Sequence, residues 1–157
     1  MITEDYVSFE IAKLLKEKGF DGKCAHVWVE EKGNKPICMG MSSFVEGEEV
    51  ADRETVEAAT DYANEYMFKN LYVAYLCPTL QMAMKWLREV HNQIIIPNVR
   101  TEDPISGIIN CYIVGIWYIP KNNGGSLCFI SPTPENGYST YEQACEAAIK
   151  YCLENLI

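Results

Sequence analysis

Two histidines, His26 and His91, and seven cysteines are the side chains of this sequence best suited to nucleophilic or metal chemistry. A cysteine nucleophile needs a thiolate and a neighbouring base. Cys24 and His26 stand two apart in a segment that reads as a strand, where residues i and i+2 share a face. They form the candidate dyad of a cysteine-dependent enzyme, a thiol hydrolase or transferase. His91 closes a helix, where a cation is favourable against the helix dipole. A zinc site would show close pairs such as C-x₂-C or H-x₃-H, and the sequence has none. Cys145 and Cys152 lie on one side of a helix but two turns apart, which suits core packing. There is no G-x-S-x-G elbow, Walker loop or H-E-x-x-H, so no metal or cofactor is expected and no catalytic constellation stands above the Cys24–His26 coincidence.

Binding is the other chemistry on offer. Tyr62, Tyr66, Phe68, Tyr72 and Tyr75 crowd into fourteen residues, and tyrosine combines apolar area with a polar tip, a composition favoured at interfaces. Tyr62, Tyr66, Tyr72 and Tyr75 are therefore the candidate binding group. The acidic run Glu46, Glu48, Glu49, Asp52, Glu54 and Glu57 lacks the order of a calcium loop and reads as a solvated face. The whole chain carries a net charge of −9. That field repels phosphate backbones and anionic lipid, so neither direct nucleic-acid binding nor a membrane partner is expected. It also leaves open an acidic DNA mimic that inhibits a nucleic-acid-binding protein.

The elements that must position these residues follow from periodicity. Val7, Ile11, Leu14 and Leu15 predict a helix over 5–18, stopped at Gly19. Cys24 to Glu31 alternates as a strand, Lys32–Lys35 is turn chemistry, and Ile37 to Phe44 reads as the returning strand, with a bulge or weak edge at Gly40. A 3.6-residue period predicts a helix over 54–67, while 71–76 is either a strand or a buried connector. Pro78 opens a helix that runs through Val90 and stops at Asn92. Ile94–Ile96 is a short strand, ended or made an edge by Pro97. Ile108 to Ile119 is apolar on both alternating faces, so it is either central and covered on both sides or covered by another subunit. Residues 121–125 form a turn and Leu127 to Ser131 returns antiparallel. Thr140 with Gln143, or Ser139 with Glu142, forms a capping box for a helix to about 156. With 157 residues, the expectation is a single globular α+β domain over 1–157: an antiparallel sheet of four to five strands with about four helices, mostly on one face. The start of the chain reads as lacking a secretory leader, so its thiols are expected to be reduced and its location cytoplasmic.

Cys77-Pro78-Thr79-Leu80 leading into Lys85-Trp86-Leu87-Arg88-Glu89-Val90-His91, the aromatic strand at Trp117-Tyr118, and Tyr141-Glu142-Gln143-Ala144 with Ala147-Ala148-Ile149 resemble a group of small proteins of Bacteroides-type gut bacteria, their phages and mobile elements. The resemblance covers about the second half of the chain; Cys77 stands where the group usually has alanine. It implies an accessory, phage-related setting and no particular chemistry. Together with the doubly apolar strand and the tyrosine group, it makes a non-enzymatic protein-binding protein the leading expectation, with a protein partner or self-association as a homo-oligomer.

Overall fold

The computed structural model describes residues 5–68, 71–101, 111–120 and 124–157. Their α+β architecture divides into two compact units, one through Thr79 and the other from Leu80.

In the first unit, α1 (Phe9–Glu17) buries Ile11, Ala12 and Leu15. Gly19 at φ +86° ends it, and the Phe20 amide returns to the Leu15 carbonyl at 2.9 Å, satisfying one of the last free acceptors. The sheet has the order β2-β1-β3, all antiparallel, with β1 (His26–Glu31) central, β2 (Ile37–Gly40) on one side and β3 (Tyr72–Leu76) on the other. The undecided segment 71–76 is thus a strand. The strand expected to Phe44 stops at Gly40, and Met41–Phe44 turns into the short helix α2. Met41 is 1% exposed and its amide donates to the Ala25 carbonyl at 2.7 Å. Burying that side chain requires the backbone to leave the ladder there. Helix α3 (Arg53–Ala63) starts on Asp52, whose carboxylate accepts from the Thr55 amide, and continues as a π-helical turn over Asn64–Phe68. One face of the sheet supplies Val27, Val29, Ala74 and Leu76 to a core shared with Leu15 and Val56. Lys16 donates to the Ala74 carbonyl at 3.2 Å, capping the strand β3 acceptor that points away from β1.

In the second unit, α4 (Leu80–His91) ends at Asn92, the described non-glycine residue with positive φ (55°). The sheet is β4-β5-β6, again antiparallel, built from β4 (Ile94–Arg100), β5 (Cys111–Tyr118) and β6 (Cys128–Ile130). β4 runs three residues beyond Pro97, which pairs with Val114. An edge strand tolerates this, because only one side of it enters the ladder. Residues 108–110 of the expected strand and 121–123 of the expected turn lie outside the described residues. Helix α5 (Tyr141–Asn155) is capped in the Thr140 register: its hydroxyl accepts from the Gln143 amide at 3.2 Å, a contact typically worth about 1 kcal/mol. Ala144, Cys145, Ala148, Ile149, Cys152 and Leu153 are fully buried on α5, which packs on β4 and β5. The strands therefore form two three-stranded sheets, where one of four to five strands was expected. β5, the most apolar strand, takes β4 and β6 as its neighbours and gives β3 none of its edges. Among the described residues no helix is long and apolar enough to cross a membrane.

Candidate functional site

Cys24 lies just before β1. Its amide and carbonyl bridge to Ala51 at 2.9 and 3.0 Å, and the residue is 1% exposed. Burial pushes its thiol up to about 12, and the S–H points to the Gly22 carbonyl at 3.5 Å. Ala25 is a bend, so the strand alternation that would set Cys24 and His26 on one face is interrupted between them. The His26 ring stacks against Tyr6, centroids 4.2 Å apart, and its Nδ1 is buried without a hydrogen-bond partner. The surroundings of Cys24 favour the neutral thiol, the form least able to act as a nucleophile.

The tyrosines separate into two kinds. Tyr62 and Tyr66 are 61% and 67% exposed, with rings 4.9 Å apart. Tyr72 is tied by its backbone, its amide and carbonyl both meeting the Asn64 carboxamide. Tyr75 is built into the fold: its ring meets Phe9 edge-on at 5.4 Å, the Lys16 ammonium lies 5.2 Å from its centroid, and its hydroxyl donates to Glu30 at 3.3 Å. Of the four, Tyr62 and Tyr66 are the most exposed. In the acidic run, Asp52 is occupied as the α3 cap, and its hydrogen bonds from Thr55 hold the carboxyl below the usual carboxylate range. Glu57 pairs with Arg53 at 2.8 Å and with Lys16 at 3.8 Å. Among the described residues no group of three or more His, Cys, Asp or Glu side chains could hold a metal ion.

The larger apolar surface lies on the second sheet. Val114 and Ile116 point to α5 and are buried. The opposite face carries Ile94 and Ile96 from β4, Trp117 from β5 and Phe129 from β6, brought together by the registers Ile94↔Trp117↔Phe129 and Ile96↔Gly115. These four are 43%, 46%, 36% and 54% exposed. Gly115 makes the surface continuous, because a Cβ there would meet the Phe129 ring at 2.6 Å. The Trp117 and Phe129 rings sit 4.9 Å apart, and exposed Ile119 and Leu127 flank them. The double apolar character of β5 signals this face in the sequence, whereas Ile94, Ile96 and Phe129 join it only once the register is known.

No family model, curated protein or solved structure matches the chain.

Proposed function

We propose that this chain is a non-enzymatic protein-binding module, and that the partner covering the outer face of β4-β5-β6 is a second copy of the chain. The reading rests on one observation: β5 is apolar on both faces, and α5 covers only one of them. Ile94, Ile96, Trp117 and Phe129 with the flanking Ile119 and Leu127 present on the order of 600 Å² of apolar surface, at the upper end of what monomers leave bare. Two such faces stacked as sheets bury about 1,200 Å², the lower bound of a specific interface. Among the described residues the three strands contribute no carboxylate to this face, so two chains of net charge −9 can close it without opposing strand carboxylates. An accessory role in the cytoplasm, of the phage or mobile-element kind the resemblance implies, accommodates such a module.

Sedimentation tests this. The expected result is a monomer–dimer equilibrium in the micromolar range that tightens as salt screens the repulsion between two acidic chains, and that Trp117→Asp abolishes. A monomer at all concentrations, or a dimer indifferent to Trp117→Asp, would overturn the proposal. An acidic decoy for a basic protein predicts the opposite salt trend, with binding weakened as salt rises.

A further inference from the structure

Cys38 and Cys77 are 39 residues apart, yet their Sγ atoms are 3.8 Å from each other. Cys38 pairs with Trp28 across β1–β2, and the Cys77 amide bonds the His26 carbonyl on the β3 side. Cross-strand partners share a face, so both sulfurs lie on the His26–Trp28 face and straddle β1. Cys77 is buried and Cys38 half-buried. The Cys77 S–H turns to the Val7 carbonyl at 3.7 Å, which also accepts from the Trp28 indole at 3.0 Å.

This placement decides among the reactions open to two thiols. A disulfide needs the sulfurs at about 2.05 Å and Cα atoms within about 7 Å. β2 and β3 stand two strand spacings apart, roughly 10 Å, so closing that bond would displace β1. Zinc needs three or four protein ligands, and among the described residues no third His, Cys, Asp or Glu joins the pair. A single two-coordinate ion fits: two linear bonds from sulfur to a soft monovalent ion, each about 2.2 Å and so shorter than a tetrahedral zinc–sulfur bond, span about 4.4 Å, so the observed 3.8 Å gap has to open by only about 0.6 Å. Two-coordinate thiolate binding is the preference of soft ions, Cu(I) foremost.

We propose that Cys38 and Cys77 form a two-thiolate site for Cu(I). The ion forms two Cu–S bonds, both S–H bonds break, and two protons leave to solvent; no electron changes hands. The half-buried Cys38 side admits the ion and hydrates the resulting single negative charge.

The test is anaerobic titration of Cu(I) into the reduced protein against a bicinchoninate competitor. The parent and Cys128→Ser are expected to retain one equivalent. Cys38→Ser and Cys77→Ser should each lose at least about 100-fold in affinity, since even outer partners of a metal site cost 10- to 100-fold. X-ray absorption should show two sulfurs and no further ligand, at about 2.2 Å, shorter than the about 2.3 Å of a tetrahedral zinc thiolate. Loss of all Cu(I) from the parent to the competitor, or retention by both serine variants, would overturn the assignment. Should Cys77→Ser fail to fold, iodoacetamide labelling of the parent decides: Cu(I) must protect the peptides of Cys38 and Cys77 ahead of that of Cys128, and equal protection of all three refutes the site.

Discussion

Isoleucine to alanine at two positions of the second unit measures how differently the two faces of its sheet are covered. Ile149, on α5, is fully buried, whereas Ile96, on the outer face of β4, is 46% exposed. Each substitution removes three carbons. At about 0.8 kcal/mol per buried methylene the Ile149 change loses about 2.4 kcal/mol of transfer energy. The enclosed cavity it leaves brings the cost to about 3–4 kcal/mol. At Ile96 about half of the transfer term applies and no closed cavity forms, so about 1 kcal/mol is expected in dilute solution. Urea unfolding followed by tryptophan fluorescence reads both, since Trp86 and Trp117 lie in this unit. With m near 1–1.5 kcal/mol per M, Ile149→Ala should lower the midpoint by about 2 M or more. Repeating the measurement from about 1 to about 100 µM protein adds the linkage to self-association: the parent midpoint should rise with concentration and that of Ile96→Asp should stay fixed. Equal costs for the two alanine variants would refute the face assignment. A parent midpoint independent of concentration would refute the second copy as its cover.

The buried thiols predict a pH dependence of fixed sign. Burial pushes Cys24 and Cys152 up to about 12, whereas an unfolded cysteine titrates near about 8.5. Between these values the unfolded chain has lost protons that the folded chain keeps, so stability is full below about pH 8.5 and falls by about 1.4 kcal/mol per pH unit for each such thiol above it. Cys24→Ala with Cys152→Ala should flatten the alkaline limb of a denaturation-versus-pH series, and an unchanged slope would show that these thiols are not held neutral. A second contrast concerns Gly137 and Gly124. Both have positive φ, but a Cβ at Gly137 would meet the Cys111 side chain and the Tyr112 carbonyl (2.9 Å), while at Gly124 it meets nothing within 4 Å. Gly124→Ala should cost about 1 kcal/mol of backbone strain and Gly137→Ala about 3 kcal/mol, with steric overlap added; equal thermal shifts would contradict the path of the segment that pairs Tyr138 with Tyr112.

What could be read from sequence and what could not divides along a physical line. α5 was legible because its cap, its period and its burial stripe are all local: Thr140 and Gln143 are three apart, and the buried positions recur with the helix turn. Gly19 and Asn92 were legible as stops for the same reason, since positive φ is a property of one residue. The extension of β4 past Pro97 was not, because tolerance of proline depends on the strand being an edge, and edge status is set by strands far away in sequence. The helix at Met41–Phe44 was hidden likewise: nothing in those four residues announces that the Met41 amide will meet Ala25.

The candidate sites follow the same division, and they show why short-range coincidences among reactive residues carry so little. Cys24 and His26 suggested a dyad only on the premise of unbroken strand alternation, and the bend at Ala25 removes that premise. The tyrosines between 62 and 75 were grouped by proximity along the chain, yet the turn from helix to β3 leaves Tyr62 and Tyr66 in solvent and locks Tyr75 between Phe9 and Lys16. The groupings that carry the two proposals are long-range. Cys38 meets Cys77 only because β1 lies between their strands, and Ile94, Trp117 and Phe129 meet only because three strands share one register. A one-residue slip of β4 on β5 would turn Ile94 and Ile96 to the helices and put Ile95 and Pro97 outside. Register alone therefore decides whether this chain presents an apolar face to a partner, and it is fixed by the burial of Val114 and Ile116 against α5 on the opposite side of the sheet.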